Sequence, residues 1–148
     1  VGYAHSGNSL YFRDSYRSIK SDIFEKIFSL SNIEFFKLSK SNETYIRSYK
    51  NVYDLGHLEI SDLAKKLHEF DIVITTDTFL VHLCGHYNIK CILLLNYNAD
   101  WRWFDDKKYT NWYPSVRIIK QKKISQWNHI INILFRFLKT KSKSITSF

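Results

Sequence analysis

The segment Asp71-Ile72-Val73-Ile74-Thr75 constrains this chain more than any other. Its apolar residues run without alternation, so a strand here is buried on both faces. Such a strand belongs in the middle of a parallel sheet, where crossover helices cover both sides. A sheet covered twice needs further strands and helices in alternation, and the rest of the sequence supplies them. Residues 1–5 read as a first strand ending at the turn-type cluster Ser6-Gly7-Asn8. Residues 9–17 are polar and aromatic and read as a long loop. From there Ile19, Ile23, Phe24, Ile27, Phe28 and Leu30 recur at helical spacing, with Ser18 or Ser21 as the expected cap. Residues 33–38 are rich in β-branched and aromatic side chains, a second strand. Residues 39–53 are polar and tyrosine-rich, without a period. Ser61 is expected to cap a short helix that turns Leu63, Ala64 and Leu67 inward. After the 71–75 strand come a helix over 78–87, a fourth strand over 91–95 and a loop with a short helix over 96–114. A fifth strand covers 116–120, and Ser125 is expected to cap a last helix reaching about residue 139.

This order predicts an α/β chain, a Rossmann-like parallel sheet with helices on both faces. A length of 148 residues fits one domain, residues 1–140, followed by a flexible basic tail, 141–148. An apolar fraction of 45% excludes disorder outside that tail. The chain lacks Met and opens on Val1 straight into an apolar stretch, so a segment of a longer protein is expected. Cys84 and Cys91 lie in apolar surroundings and read as buried thiols of a reducing compartment. No apolar run reaches the ~20 residues that span a bilayer, and a cytoplasmic location is expected. Residues 1–106 hold 12 Lys/Arg against 14 Asp/Glu, a net of −2, whereas residues 107–148 hold 10 Lys/Arg and no acid. The basicity therefore belongs to the end of the chain, and a nucleic-acid partner is not expected from it. The last helix, with Trp127, Ile130, Ile131, Leu134, Phe135, Phe137 and Leu138, offers a wide apolar face. A peripheral contact with anionic lipid is one reading of that face; packing on the sheet or on another domain is the preferred one.

In open parallel sheets, ligands collect beyond the carboxyl ends of the strands, where helix N-termini present unpaired N–H groups. Two such places stand out. After the first strand, Ser6-Gly7-Asn8 exposes backbone, with Arg13 and Arg17 downstream as candidate phosphate partners. After the third, Asp77-Thr78 opens a helix that carries His82 one turn on, and Thr78 offers a hydroxyl and an amide. Each has a plain counterpart. Asp77-Thr78 is equally a helix cap, His82 a core histidine, and Arg13-Asp14-Arg17 a surface ion-pair cluster of small energetic value. Gly-x-Gly-x-x-Gly and Gly-Lys-Ser/Thr motifs are missing, which counts against dinucleotide and P-loop sites. The six histidines are not at zinc-ligand spacing, so no metal and no cofactor are expected.

Five segments in order carry a family resemblance: VGYAHSGN at 1–8, RDSYRS at 13–18, FDIVITTDTFLVHLCG at 70–85, DWRWF at 100–104 and NWYPSVRIIKQ at 111–121. Together they resemble the C-terminal domain of bacterial GT-B glycosyltransferases related to the heptosyltransferases, of the kind found behind tetratricopeptide repeats. The chain departs from that pattern at His5, Phe79, Leu80 and Lys90. The resemblance implies two Rossmann-like domains facing across a cleft. This one would hold a nucleotide diphosphate sugar, and an N-terminal domain, outside this sequence, would present the acceptor and the general base. By similarity Ser6, Gly7, Asn8 and Arg17 lie near the diphosphate, and Asp77, Thr78 and His82 form the second wall. Trp101 and Arg102 are further candidates, for stacking and for a phosphate, and Trp103 is expected to pin the loop. Two other readings remain, a degenerate domain that only scaffolds and a binder of nucleic acid or membrane through the basic end.

Overall fold

The computed structural model describes residues 1–40, 46, 48–103 and 108–141. Its centre is the strand expected at 71–75, observed as Val73–Thr76 with every residue buried. The six described strands are β1 (Gly2–Ala4), β2 (Phe35–Lys37), β3 (Val52–Asp54), β4 (Val73–Thr76), β5 (Cys91–Leu95) and β6 (Val116–Lys120). They form one sheet in the order β3-β2-β1-β4-β5-β6, and every pairing is parallel. This is the Rossmann order, in which the chain runs outward one way from β1 and then restarts beside it at β4.

The helices are α1 (Asp14–Arg17), α2 (Ser21–Phe24), α3 (Ile60–Lys66), α4 (Phe79–His86) and α5 (Trp127–Lys141). Alternation along the strands divides the core into two layers. On one face Tyr3, Phe35, Ile74, Ile92 and Leu94 meet Phe24 of α2 and Ile130, Ile131, Leu134 and Leu138 of α5. On the other, Ala4, Val73, Cys91, Leu93 and Val116 meet Leu63 of α3 and Leu80, Val81 and Cys84 of α4. The apolar stripe of α5 is therefore committed to the sheet, and only the flanks of that helix face outward. No helix among the described residues is long and apolar enough to cross a membrane.

Several local expectations need correction. The 39–53 stretch leads into an edge strand, β3, in which only Val52 is buried. A strand of three residues with one covered side chain carries no alternation to read. The loop expected at 9–17 ends in the single turn α1. The helix expected over 19–30 is one α-turn, α2, continued as a 3-10 helix over Glu25–Ser29. Neither proposed cap serves it: Lys20 holds the cap position, and the Ser18 hydroxyl bonds Asp14 instead. Glu59 rather than Ser61 precedes α3, without a side-chain cap. Ser125 sits at φ 61, in the left-handed region, two residues before α5. A capping side chain requires an extended backbone, so Ser125 does not cap α5. The helix itself runs to Lys141, past the end expected for it, and residues 142–148 of the proposed tail lie outside the described residues.

Candidate functional site

The register of the sheet creates the site. Ala4 pairs with Thr75, so β1 and β4, about 4.8 Å apart, end within one residue of each other. The turns that follow them emerge side by side where the strand order reverses. The residues 6–8 and 77–78, some 70 positions apart in sequence, are neighbours for that reason.

The first turn is shaped by its own polar groups. His5 is buried, and its Nδ1 lies 2.7 Å from the Ile19 carbonyl oxygen, while the Ile19 amide donates back to the His5 carbonyl at 2.7 Å. A carbonyl only accepts, so Nδ1 carries the proton. The Gly7 amide donates to Ser18 Oγ (3.0 Å), which donates to Asp14 Oδ2 (2.8 Å). Asn8 Oδ1 accepts from the Leu10 amide. Gly7 is required here: a Cβ would fall 2.3 Å from Asp14 Oδ1 and 2.5 Å from Arg17 Nη2.

Arg17 bolts the two turns together. Its Nε donates to Asp14 Oδ1 at 2.9 Å, its Nη1 to the Asp77 carbonyl at 2.6 Å, and its guanidinium lies over the Tyr11 ring at 4.7 Å. Asp14 is buried, so the Asp14–Arg17 pair is an internal strut rather than the surface cluster set out above. Arg13 stays outside it, over the Phe12 ring.

On the second turn, Thr78 is the N-cap of α4, and its Oγ1 accepts from the Leu80 amide at 3.3 Å. Thr78 Oγ1 also lies 3.0 Å from the buried Thr75 Oγ1. The first amides of α4, those of Thr78 and Phe79, have no acceptor among the described residues. Two buried hydroxyls at the strand ends, Ser6 Oγ and Thr76 Oγ1, are likewise without a partner. Such groups cost free energy unless something bonds them. Leu80 packs into the core, whereas Phe79, the first residue of α4, is exposed.

Arg102 reaches the same turn from the β5–β6 loop. Its Nη2 meets Asp77 Oδ2 at 3.4 Å and its Nη1 meets Asp100 Oδ2 at 3.3 Å. Both contacts are longer than those of Arg17, and Arg102 Nε is buried without a partner among the described residues. Trp101 is exposed beside it, whereas Trp103 is buried, as expected for the residue that pins the loop. Trp103 stacks on His82 with ring centroids 5.4 Å apart.

His82 is held rather than free. Its Nδ1 lies 3.0 Å from the Tyr113 hydroxyl. Burial and then the Arg102 charge push the His82 imidazole below the ordinary histidine range, partly offset by Asp77. One turn along α4, Gly85 lies flat against the Tyr113 ring; a Cβ there would be 2.2 Å from its Cγ. The His-x-x-Gly spacing of α4 thus accepts the tyrosine of the Trp-Tyr-Pro segment. The sequence reading singled out both segments without pairing them.

The charge balance is informative. Among the described residues two guanidinium groups face three carboxylates, Asp14, Asp77 and Asp100, so neither arginine is an uncommitted cation. Around this cluster the loops after β1, β4 and β5 expose Leu10, Tyr11, Phe12, Tyr16, Phe79, Tyr97 and Trp101. Two cavities lie elsewhere. One, of about 440 Å³, opens at the opposite, amino-terminal edge of the sheet, among Val1, Phe36, Phe70, Lys90 and Phe137. The other, of about 80 Å³, lies at the carboxyl edge beside α1. Size favours the first, but the free amides, hydroxyls and arginines are all at the carboxyl edge, where this fold binds ligands. Among the described residues no group of three His, Cys, Asp or Glu side chains could hold a metal.

No protein-family model matches the chain, and no curated protein matches it significantly.

Proposed function

We propose that this chain is the nucleotide-sugar-binding half of a glycosyltransferase in which two Rossmann-like domains face each other. The observation that carries the reading is the junction made by Arg17, which holds the turn after β1 against the turn after β4 where the strand order reverses. In this reading the amides of Ser6, Asn8, Thr78 and Phe79 and the hydroxyls of Ser6, Thr76 and Thr78 meet the diphosphate, while the Gly7 amide is held by Ser18. Helix α4 points its positive end at it. Arg17 acts as a positioning residue, since its Nε and Nη1 donors are bound internally. Arg102, with its longer contacts, is the cation that turns from Asp77 and Asp100 to a phosphate. His82 supports the second wall through Tyr113, and Trp101 supplies a face for stacking.

In the reaction, the bond from the anomeric carbon to the phosphate oxygen breaks and its electron pair goes to the leaving nucleoside diphosphate. An acceptor oxygen bonds to that carbon and loses its proton to a base on the facing domain. The charge gathering on the diphosphate is what fixed amides and an arginine stabilise. The exposed apolar rim around the site suits a surface that faces another domain.

Titration calorimetry of the folded chain with ADP, UDP, GDP, CDP and their sugar conjugates tests the proposal. Saturable binding of at least one diphosphate is expected, weakened about tenfold or more by Arg17→Ala or Thr78→Ala, each removing charge-assisted or amide-positioning bonds worth ~1.5–3 kcal/mol. No saturable binding by any of them overturns it. A second reading, a non-catalytic interaction module, is favoured by one observation, the full neutralisation of both arginines. It predicts that same absence of binding.

A further inference from the structure

The small cavity at the carboxyl edge has its own chemistry. Gln121 follows β6 directly, and its amide donates to the Leu95 carbonyl, so it continues the β5–β6 pairing by one residue. Alternation turns its side chain to the same face as Ile119, toward α5. There it is 4% exposed. Gln121 Oε1 accepts the Tyr97 backbone amide at 3.0 Å. A backbone N–H can only donate, so the oxygen must face Tyr97, and the amide orientation is settled by chemistry. Nε2, with two protons, is then left buried without a partner among the described residues. A buried donor left without an acceptor costs free energy unless something bonds it.

The cavity beside it holds about 80 Å³ and is lined by Ser15, Tyr16, Asn96, Asn98, Ser125 and Trp127 among others. None of its lining residues is charged. The volume is far below the ~300–1,000 Å³ that encloses a whole ligand, yet it exceeds what a single water needs. It fits one substituent of the size of a hydroxymethyl or acetamido group. Ser15 and Tyr16 belong to α1, the same turn of helix that carries Asp14 and Arg17. Asn96 and Asn98 follow β5, the neighbour of β4. The cavity therefore lies against the switch-point site, with α1 as the shared wall.

We infer that Gln121 and this cavity form a subsite for an uncharged, hydrogen-bond-accepting carbohydrate group, in which the Gln121 amide donates to a hydroxyl or acetamido oxygen. Uncharged hydroxyl and amide donors, with Tyr16, Tyr97 and Trp127 beside them, match a neutral polyhydroxylated ligand and disfavour a phosphate. The inference rests on the proposed function only for what that carbohydrate is attached to.

The test follows the Gln121 side-chain amide signals in ¹H–¹⁵N spectra of the labelled full chain. Correlation from its own backbone assigns the pair, so the readout does not depend on any variant folding. The probes are glucose, galactose and N-acetylglucosamine, then the nucleoside diphosphates with and without a sugar. A saturable shift of the Gln121 signals with at least one sugar or nucleotide sugar is expected. In Gln121→Leu, affinity for that nucleotide sugar should fall about tenfold while affinity for the bare diphosphate is unchanged. Signals that move with no sugar-bearing probe overturn the inference, as does exchange of both protons with a long-lived water that no probe displaces. Diphosphate binding without a Gln121 response sinks this inference and leaves the proposed function standing. A sugar response without any diphosphate binding does the reverse.

Discussion

Replacing Gly85 by Ala is a sharp test of how the site is braced. Gly85 is helical and has no positive φ, so an Ala in that backbone is unstrained and should favour the helix by about 1 kcal/mol. Space decides otherwise. The new Cβ would meet Tyr113 ring carbons at 2.2, 2.3 and 2.8 Å, and contacts that short require the ring to move. Overpacking of this kind costs about 1–3 kcal/mol. Displacing the ring also takes the Tyr113 hydroxyl from His82 Nδ1, a loss of about 0.5–1.5 kcal/mol. The net expectation is destabilisation by roughly 0.5–3.5 kcal/mol from these opposing effects. Urea denaturation of four proteins measures it: wild type, Gly85→Ala, Tyr113→Ala and the double variant. With Tyr113 truncated the obstacle is gone, so Gly85→Ala should reverse sign and stabilise by up to about 1 kcal/mol. A Gly85→Ala protein as stable as wild type, or the same effect in both backgrounds, would refute the claim that His-x-x-Gly exists to seat Tyr113.

Thr78→Ala removes the α4 cap and the partner of Thr75 Oγ1; thermal unfolding should show a loss of about 1 kcal/mol, within the 0.5–2 range of such caps. The His82 value is lowered from 6.5 in the folded chain, by burial first and Arg102 second. The unfolded chain therefore binds the proton more readily. This group's contribution to stability is complete above the ordinary histidine range and is lost as pH falls through the folded value. Urea midpoints between pH 5 and 8, taken on the wild type and on His82→Gln, should fall less steeply on acidification in the variant. Burial pushes the Cys91 thiol well up, reinforced by the neighbouring Cys84. Neither cysteine is exposed, so a thiol reagent should label both only after denaturant is added; labelling of the native chain at the rate of free cysteine would contradict the packing.

The local code carried most of the sheet. Strands β5 and β6 lie where residues 91–95 and 116–120 are expected, and β4 differs by a residue or two. Each is long enough, and buried enough, for its apolar run to report burial directly. The position of Thr78 ahead of α4 was legible for a similar reason, since a cap acts within three residues. That α5 buries one face was legible from its apolar stripe, a property of one helix; that the face packs on this sheet was decided by the tertiary structure.

What the sequence could not reveal were interactions whose partners are distant along the chain. The pairing of Ala4 with Thr75 depends on strand register, and only that register brings Gly7 and Asp77 together. Arg17 and the Asp77 carbonyl are 60 residues apart, His82 and Tyr113 are 31 apart. The contact of Arg102 with Asp77, and the orphan amide of Gln121 beside its small cavity, exist only once the loops share one edge of the sheet. Periodicity records whether a side chain is covered, and that is a one-dimensional property. Which polar group meets which is decided by the path of the backbone through space, so the sheet was readable in advance and the wiring of its carboxyl edge was not.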